Sequence, residues 1–170
     1  MKQLFLQLLT LITLAGCSKD QLNTGPQVDI YLLKSFTTTV NQSTTPATIS
    51  ITDAVLDNTP LVTNKNISAY IQATHKFILN KDIQTAIANF GPDKAFAVTV
   101  DKQPIYYGLF HPTYLSSINF GVATISPILV NNNELQIDFP TIDNNSLLQQ
   151  LDLRNDSQLI QALKMTNRLQ

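Results

Sequence analysis

The chain has 170 residues, of which 11 are Lys or Arg and 12 are Asp or Glu, giving a formal net charge of −1. That balance offers no basic footprint for a nucleic-acid backbone, and a single cysteine excludes a framework of intrachain disulfides. Charged residues make up 14% of the chain against roughly 25% in an average domain, so apolar burial and uncharged polar groups must carry the fold.

The chain opens MKQLFLQLLTLITLAGCSKD. Lys2 supplies a positive n-region, Leu4 to Leu14 an apolar h-region, and Ala15-Gly16 a pair of small residues at a cleavage site. About 11 residues at 1.5 Å each fall far short of a ~30 Å hydrocarbon core, so the stretch is a signal rather than a spanning helix. The tetrad Leu14-Ala15-Gly16-Cys17 resembles the lipobox of bacterial lipoproteins. That resemblance implies a signal peptidase that recognises Leu14, Ala15 and Gly16, removal of residues 1–16, and diacylglycerol on the sulfur of Cys17. A thiol is the nucleophile that this transfer needs, and two or three acyl chains hold a protein at a membrane where one does so only marginally. Ser18 instead of Asp after the cysteine is, by the sorting rule of Gram-negative lipoproteins, a signal for the outer membrane. Ser18-Lys19-Asp20 is in addition similar to the surface-export signals of Bacteroidota lipoproteins. The implied location is a lipid anchor in the outer membrane, facing the periplasm or the cell surface, with the membrane as one partner.

Residues 17–26, from the lipidated cysteine to Gly25-Pro26, lack periodic apolar positions and read as a flexible tether. Residues 27–170 read as one α+β domain, a mostly antiparallel sheet packed with two helices. Val28 to Phe36 is a strand apolar on both faces, Thr37 to Thr48 a polar loop or edge excursion, and Ile49 to Ile51 a short strand. Pro60 to Val62 starts another turn-bounded segment, and Thr74 to Leu79 alternates as a strand with His75, Phe77 and Leu79 on one side. A helix follows over 81–90, capped by Asn80, with Asp82 in its first turn and Ile83, Ile87 and Phe90 in one stripe. Gly91 suits a left-handed C′ position and Pro92 ends the helix.

KAFAVTVDKQPIYYGLF reads as a hairpin through Asp101 to Pro104, with Asp at the first position of a type I turn. On its second arm Ile105, Tyr107 and Leu109 point one way and Tyr106, Gly108 and Phe110 the other, Gly108 leaving room for helix 81–90. Strands near Phe120 to Ser126 and Glu134 to Phe139 flank a turn at Asn131 to Asn133, and a last helix runs from Ser157 to Leu169 with Asp156 as cap. The segments DIYLLKSF, AVLDNTPLVTNKNISAY, FAVTVDKQPIYYGLF and DLRNDSQLIQALK together resemble a family of hypothetical envelope lipoproteins with no assigned activity. Residues 80–110 are also similar to the first periplasmic domain of the translocase subunit SecD, whose hairpin usually has Asp-Gly where this chain has Asp101-Lys102.

No spacing of the HExxH, CxxC or GxSxG kind is present, and His75 and His111 stand far apart, so the sequence implies neither metal nor cofactor. Ser116 and Ser117 lack a nucleophile turn, Asp53 and Asp57 read as turn acids rather than an acid–base pair, and Asp152 with Arg154 reads as an intrachain pair at the start of the last helix, ahead of a ligand site through Arg154. Tyr106, Phe110 and His111 are the candidate binding surface if that strand face is open; the favoured reading of the two aromatics is core, because the stripe of Ile83, Ile87 and Phe90 needs an apolar partner. Two functions follow: a non-catalytic accessory or binding module presenting a sheet edge or aromatic surface to an envelope protein, peptide or glycan, or a small envelope hydrolase acting on polymer fragments.

Overall fold

The computed structural model describes residues 25–131 and 133–170, so Leu14, Ala15, Gly16 and Cys17 lie outside the described residues. Strands run over Val28–Asn41 (β1), Thr48–Val62 (β2), Ile67–Ile71 (β3), Lys76–Leu79 (β4), Ala95–Val100 (β5), Gln103–Phe110 (β6), Ala123–Ile125 (β7) and Glu134–Gln136 (β8). Helices run over Gln84–Ile87 (α1), Ser146–Leu151 (α2) and Ser157–Met165 (α3). The chain is α+β, but among the described residues it has two sheets and three helices where one sheet and two helices were expected. The larger sheet has the order β2-β1-β5-β6-β7, antiparallel except for the β6–β7 pair, and the smaller has the order β3-β4-β8.

The expected hairpin lies at the centre of the larger sheet, because β5 and β6 are the strands whose apolar residues fall on both faces. Its turn is not type I. Asp101 and Lys102 both have positive φ, 50° and 65°, the I′ pattern whose twist matches the strands it joins. The β5–β6 register jumps from Val98↔Tyr106 to Thr99↔Pro104, so Ile105 is the extra residue of a bulge. That bulge sends Ile105 to the core shared with Tyr106 and Phe110, against strict alternation. Gly108 makes room for Phe96 rather than for a helix: a Cβ there would meet the Phe96 ring on the paired strand and lie 2.7 Å from the carbonyl oxygen of Ala123.

Of the two readings of the polar stretch, the edge excursion holds, with β1 and β2 extending into it, and Pro60 to Val62 belongs to β2. Four register shifts bend this long hairpin, and Asp53 takes a positive φ of 50°. The bend brings the start of β2 round to the chain just before β7, where Ile49 N–H donates to the Phe120 carbonyl at 2.8 Å. Gly121 (φ 82°) permits the approach, since a Cβ would lie 2.8 Å from that of Thr48. The larger sheet is therefore curled until its two outer members nearly meet. Asn145 pins the hairpin tip, capping α2 through the Leu148 amide at 3.1 Å while its Nδ2 donates to the Thr45 carbonyl at 3.1 Å.

The helix expected over 81–90 is a single turn. Asn80 does not cap it, because its side chain is committed elsewhere, donating to the Lys65 carbonyl at 2.8 Å and accepting from Asn66 Nδ2 at 3.2 Å. Asp82 instead takes the Gln84 amide at 2.8 Å, and Gly91 does not take a positive φ. Ile83 and Ile87 are nonetheless buried, and Phe90 packs edge-on to Phe110 with centroids 5.0 Å apart. His75 is not on a strand: it takes a left-handed conformation (φ 53°) between β3, which the sequence reading missed, and β4. Asp156 caps α3 as expected, accepting from the Gln158 amide at 2.8 Å. α3 ends before Leu169, and residues 168–170 pair with Tyr70 on β3, with Tyr70 N–H to the Arg168 carbonyl at 2.7 Å.

Candidate functional site

Along β6, β7 pairs only with Gly108 to Phe110, and the chain before it veers off toward β2. Ile105 to Tyr107 are thus left beside a wedge that opens into a cleft of about 270 Å3. Ser50 and Ile51 of β2 stand on one side, Gly121 to Ala123 at the apex, and Phe139, Leu151, Leu153 and Arg154 on the far side. Leu151 and Leu153 remain 39% and 40% exposed at the rim. An apolar wall with a few fixed polar groups is the composition of a ligand site.

Arg154 is the one charged side chain in this wall, and it is 9% exposed. Asp152 fixes it: Nε donates to Oδ1 at 2.8 Å and Nη2 to Oδ2 at 2.7 Å, a side-on bidentate pair. Nη1 donates to the Ile137 carbonyl at 2.9 Å, and the guanidinium carbon lies 5.7 Å from the centre of the Phe139 ring. Burial pushes the Asp152 carboxyl up, but the hydrogen bonds and charge of Arg154 together outweigh it and hold the group below its ordinary range. The expected Asp152–Arg154 pair therefore exists, and it also forms part of a cleft.

Beneath the pair lies Tyr70, fully buried, whose hydroxyl donates to the Arg154 carbonyl at 2.8 Å and stands 3.2 Å from His75 Nδ1. A phenol has one proton, and it is spent on the carbonyl. Toward His75 the oxygen can then only accept, which places the imidazole proton on Nδ1 and leaves Nε2 as the acceptor. Burial, followed by the charge of Arg154, lowers the His75 pKa and favours this neutral ring. Burial raises the Tyr70 and Tyr106 phenols, so both stay protonated. The Tyr106 hydroxyl is buried without a hydrogen-bond partner in the protein.

The three residues expected to form a binding surface are not one surface. Phe110 is fully buried between Phe90 and Phe96, at centroid separations of 5.0 and 5.6 Å, in agreement with its reading as core and against the open platform. Tyr106 is 6% exposed and belongs to that core while lining the cleft. His111 lies just beyond β6, its amide bonded to the Ile125 carbonyl at 2.8 Å and its Nδ1 3.2 Å from Asn119 Nδ2. Ser116 and Ser117 are exposed. Asp53 and Asp57 are not in turns but within β2, accepting from Thr52 Oγ1 at 3.3 Å and the Asn58 amide at 2.7 Å. Among the described residues no three His, Cys, Asp or Glu side chains converge as metal ligands, and no helix is long and apolar enough to cross a membrane. The sequence reading missed Tyr70, Phe139 and the rim leucines; the one local signal was the run Leu151-Asp152-Leu153-Arg154, where apolar and charged residues alternate with no helix period. Comparison with protein-family models, curated proteins and solved structures gave no match for this chain.

Proposed function

We propose that this protein is a non-catalytic binding module of the bacterial cell envelope, held at the outer membrane by lipid on Cys17, whose cleft receives an apolar group of its partner. The observation that supports binding is the cleft itself: Ile51, Tyr107, Val122, Phe139, Leu151 and Leu153 face open space around an arginine already fixed in place. Desolvating such a wall is favourable, and a fixed guanidinium needs little reorganisation on binding. Of the three partner classes, an envelope protein or peptide suits this lining better than a glycan, because the Phe110 ring on which a sugar would stack is enclosed in the core.

The binding reading is tested by placing a photo-crosslinking residue at Leu153 of the lipidated protein in its own envelope. Discrete adducts should form there and not from the same residue at Thr38, which is exposed on β1. Equal products from both positions would refute a role for the cleft. The anchor is tested separately: labelled palmitate should enter the wild type and not Cys17→Ser, and label on the variant would refute lipidation at this residue.

A further inference from the structure

The partner's chemistry can be narrowed further on the reading that the cleft is a binding site. A guanidinium has five N–H donors. Three of those of Arg154 are spent, on the two Asp152 oxygens and the Ile137 carbonyl, and two remain, one on each terminal nitrogen. The one charged side chain of the wall thus offers a ligand donors only, and an acceptor is what complements it. Charge then decides which acceptor. Arg154 and Asp152 cancel at 2.7 Å, so an ionic ligand would bring an unbalanced charge into a largely apolar cleft. An anion would also stand close to the Asp152 carboxylate, and a cation would find no free acceptor on the arginine.

We infer that the cleft receives an uncharged carbonyl carried on an apolar body about the size of one aliphatic side chain, the carbonyl accepting from the free N–H groups of Arg154 and the body resting on Tyr107, Val122, Phe139 and Leu153. An amide within a hydrophobic peptide has this chemistry, and so does the amide of a short acyl chain. The Asp152 carboxylate, by neutralising Arg154 without exhausting its donors, is what turns the site from an anion receptor into a carbonyl receptor.

The test is a titration of the 15N-labelled domain, followed by amide chemical shifts, with four probes: N-acetyl-leucine methylamide, the anion N-acetyl-leucine, the cation leucine methylamide, and hexanamide. The neutral leucine amide should bind roughly tenfold more tightly than either ion, moving the amides of Gly121, Val122 and Leu153. Hexanamide binding equally well would show that carbonyl and apolar body suffice, and hexanamide binding weakly would assign the site to peptides. Leu153→Glu, a change at the exposed rim that leaves the core intact, should abolish binding, and Arg154→Met should remove the preference for the neutral probe. Tighter binding of the anion, equal binding of all three leucine probes, or no shift from any neutral probe overturns the inference. The crosslinking result at Leu153 would still stand or fall separately.

Discussion

The two faces of the larger sheet carry different cores. On one, Val28, Ile30, Phe96, Val98, Tyr106, Phe110 and Ile125 are buried beneath the smaller sheet and the helices. On the other, Leu33, Ala95, Ala97, Leu109 and Val122 lie under the sheet's own curled hairpin, whose Phe36, Ile49, Ile51, Ala54 and Leu56 are only partly buried. β5 encodes the difference by alternating Phe96 and Val98 with Ala95 and Ala97. Large side chains hold a second layer at the usual spacing of about 10 Å between stacked sheets, whereas the alanines leave space for the bent hairpin to descend. A thin cover does not reach everywhere, and the cleft opens at its edge.

The sharpest way to break this contrast is Phe110→Ala. Phe110 is fully buried on the thick side, in edge contact with both Phe90 and Phe96. Its truncation should lower stability by about 3–5 kcal/mol in a denaturant titration. A folded variant with a loss under about 1 kcal/mol would remove this ring from the main core.

Leu109→Ala makes the matching change one residue earlier, on the thin side. Leu109 is 4% exposed, yet the side chains that cover it are only partly buried, so the cover can settle into the space left. The loss should fall near the low end of the leucine range, about 2 kcal/mol. A loss equal to that of Phe110→Ala would show the two covers to be equally rigid.

How much of this could be read from the residues depends on where each signal resides. The β5–β6 hairpin was legible because apolar runs, Pro104 and the Asp101 turn are adjacent in sequence, and α3 was legible because Asp156 caps it locally. The helix at 81–90 misled because Asn80 looks like a cap but hydrogen-bonds to Lys65 and Asn66, a tertiary demand with no local trace. β3 is five residues long and His75 interrupts the alternation in a left-handed conformation that its residue type does not announce. The cleft was illegible for a deeper reason. Its wall is assembled from positions near 51, 106, 122, 139 and 154, which meet only because register shifts bend β1 and β2. A bend made by bulges leaves no periodic signature.

Acid should weaken the rim of the cleft, where the thick core ends, and the signs can be worked out for two groups. Asp152 has a lowered pKa in the folded state. Its contribution is present above the ordinary carboxylate value of 3.8 and is lost as pH falls through the lower folded value. His75 is also lowered, so the folded state favours the neutral ring; that contribution is present above 6.5 and is lost as pH falls from there through the folded value. Stability should therefore decline in two acid steps, and His75→Gln should flatten the upper one while leaving the lower. An upper step unchanged in His75→Gln would assign it to another group.

The smallest expected effect concerns Tyr106, which belongs to the thick core and also borders the cleft. Its hydroxyl is buried without a partner in the protein, and a buried hydroxyl that makes no hydrogen bond forfeits roughly 1–3 kcal/mol of hydration. Phenylalanine keeps the ring and its packing while removing that group. Tyr106→Phe should thus raise stability by about 1 kcal/mol, in contrast to the losses at Phe110 and Leu109 on the same strand. A lowered midpoint would mean that the hydroxyl finds an acceptor in solution, and since the nearest open space is the cleft, the thick core would then be wet at this corner. Repeating the comparison with N-acetyl-leucine methylamide present separates two cases. A ligand that stabilises both proteins equally leaves the hydroxyl outside the site, whereas one that stabilises the tyrosine form more makes Tyr106 a second donor beside Arg154.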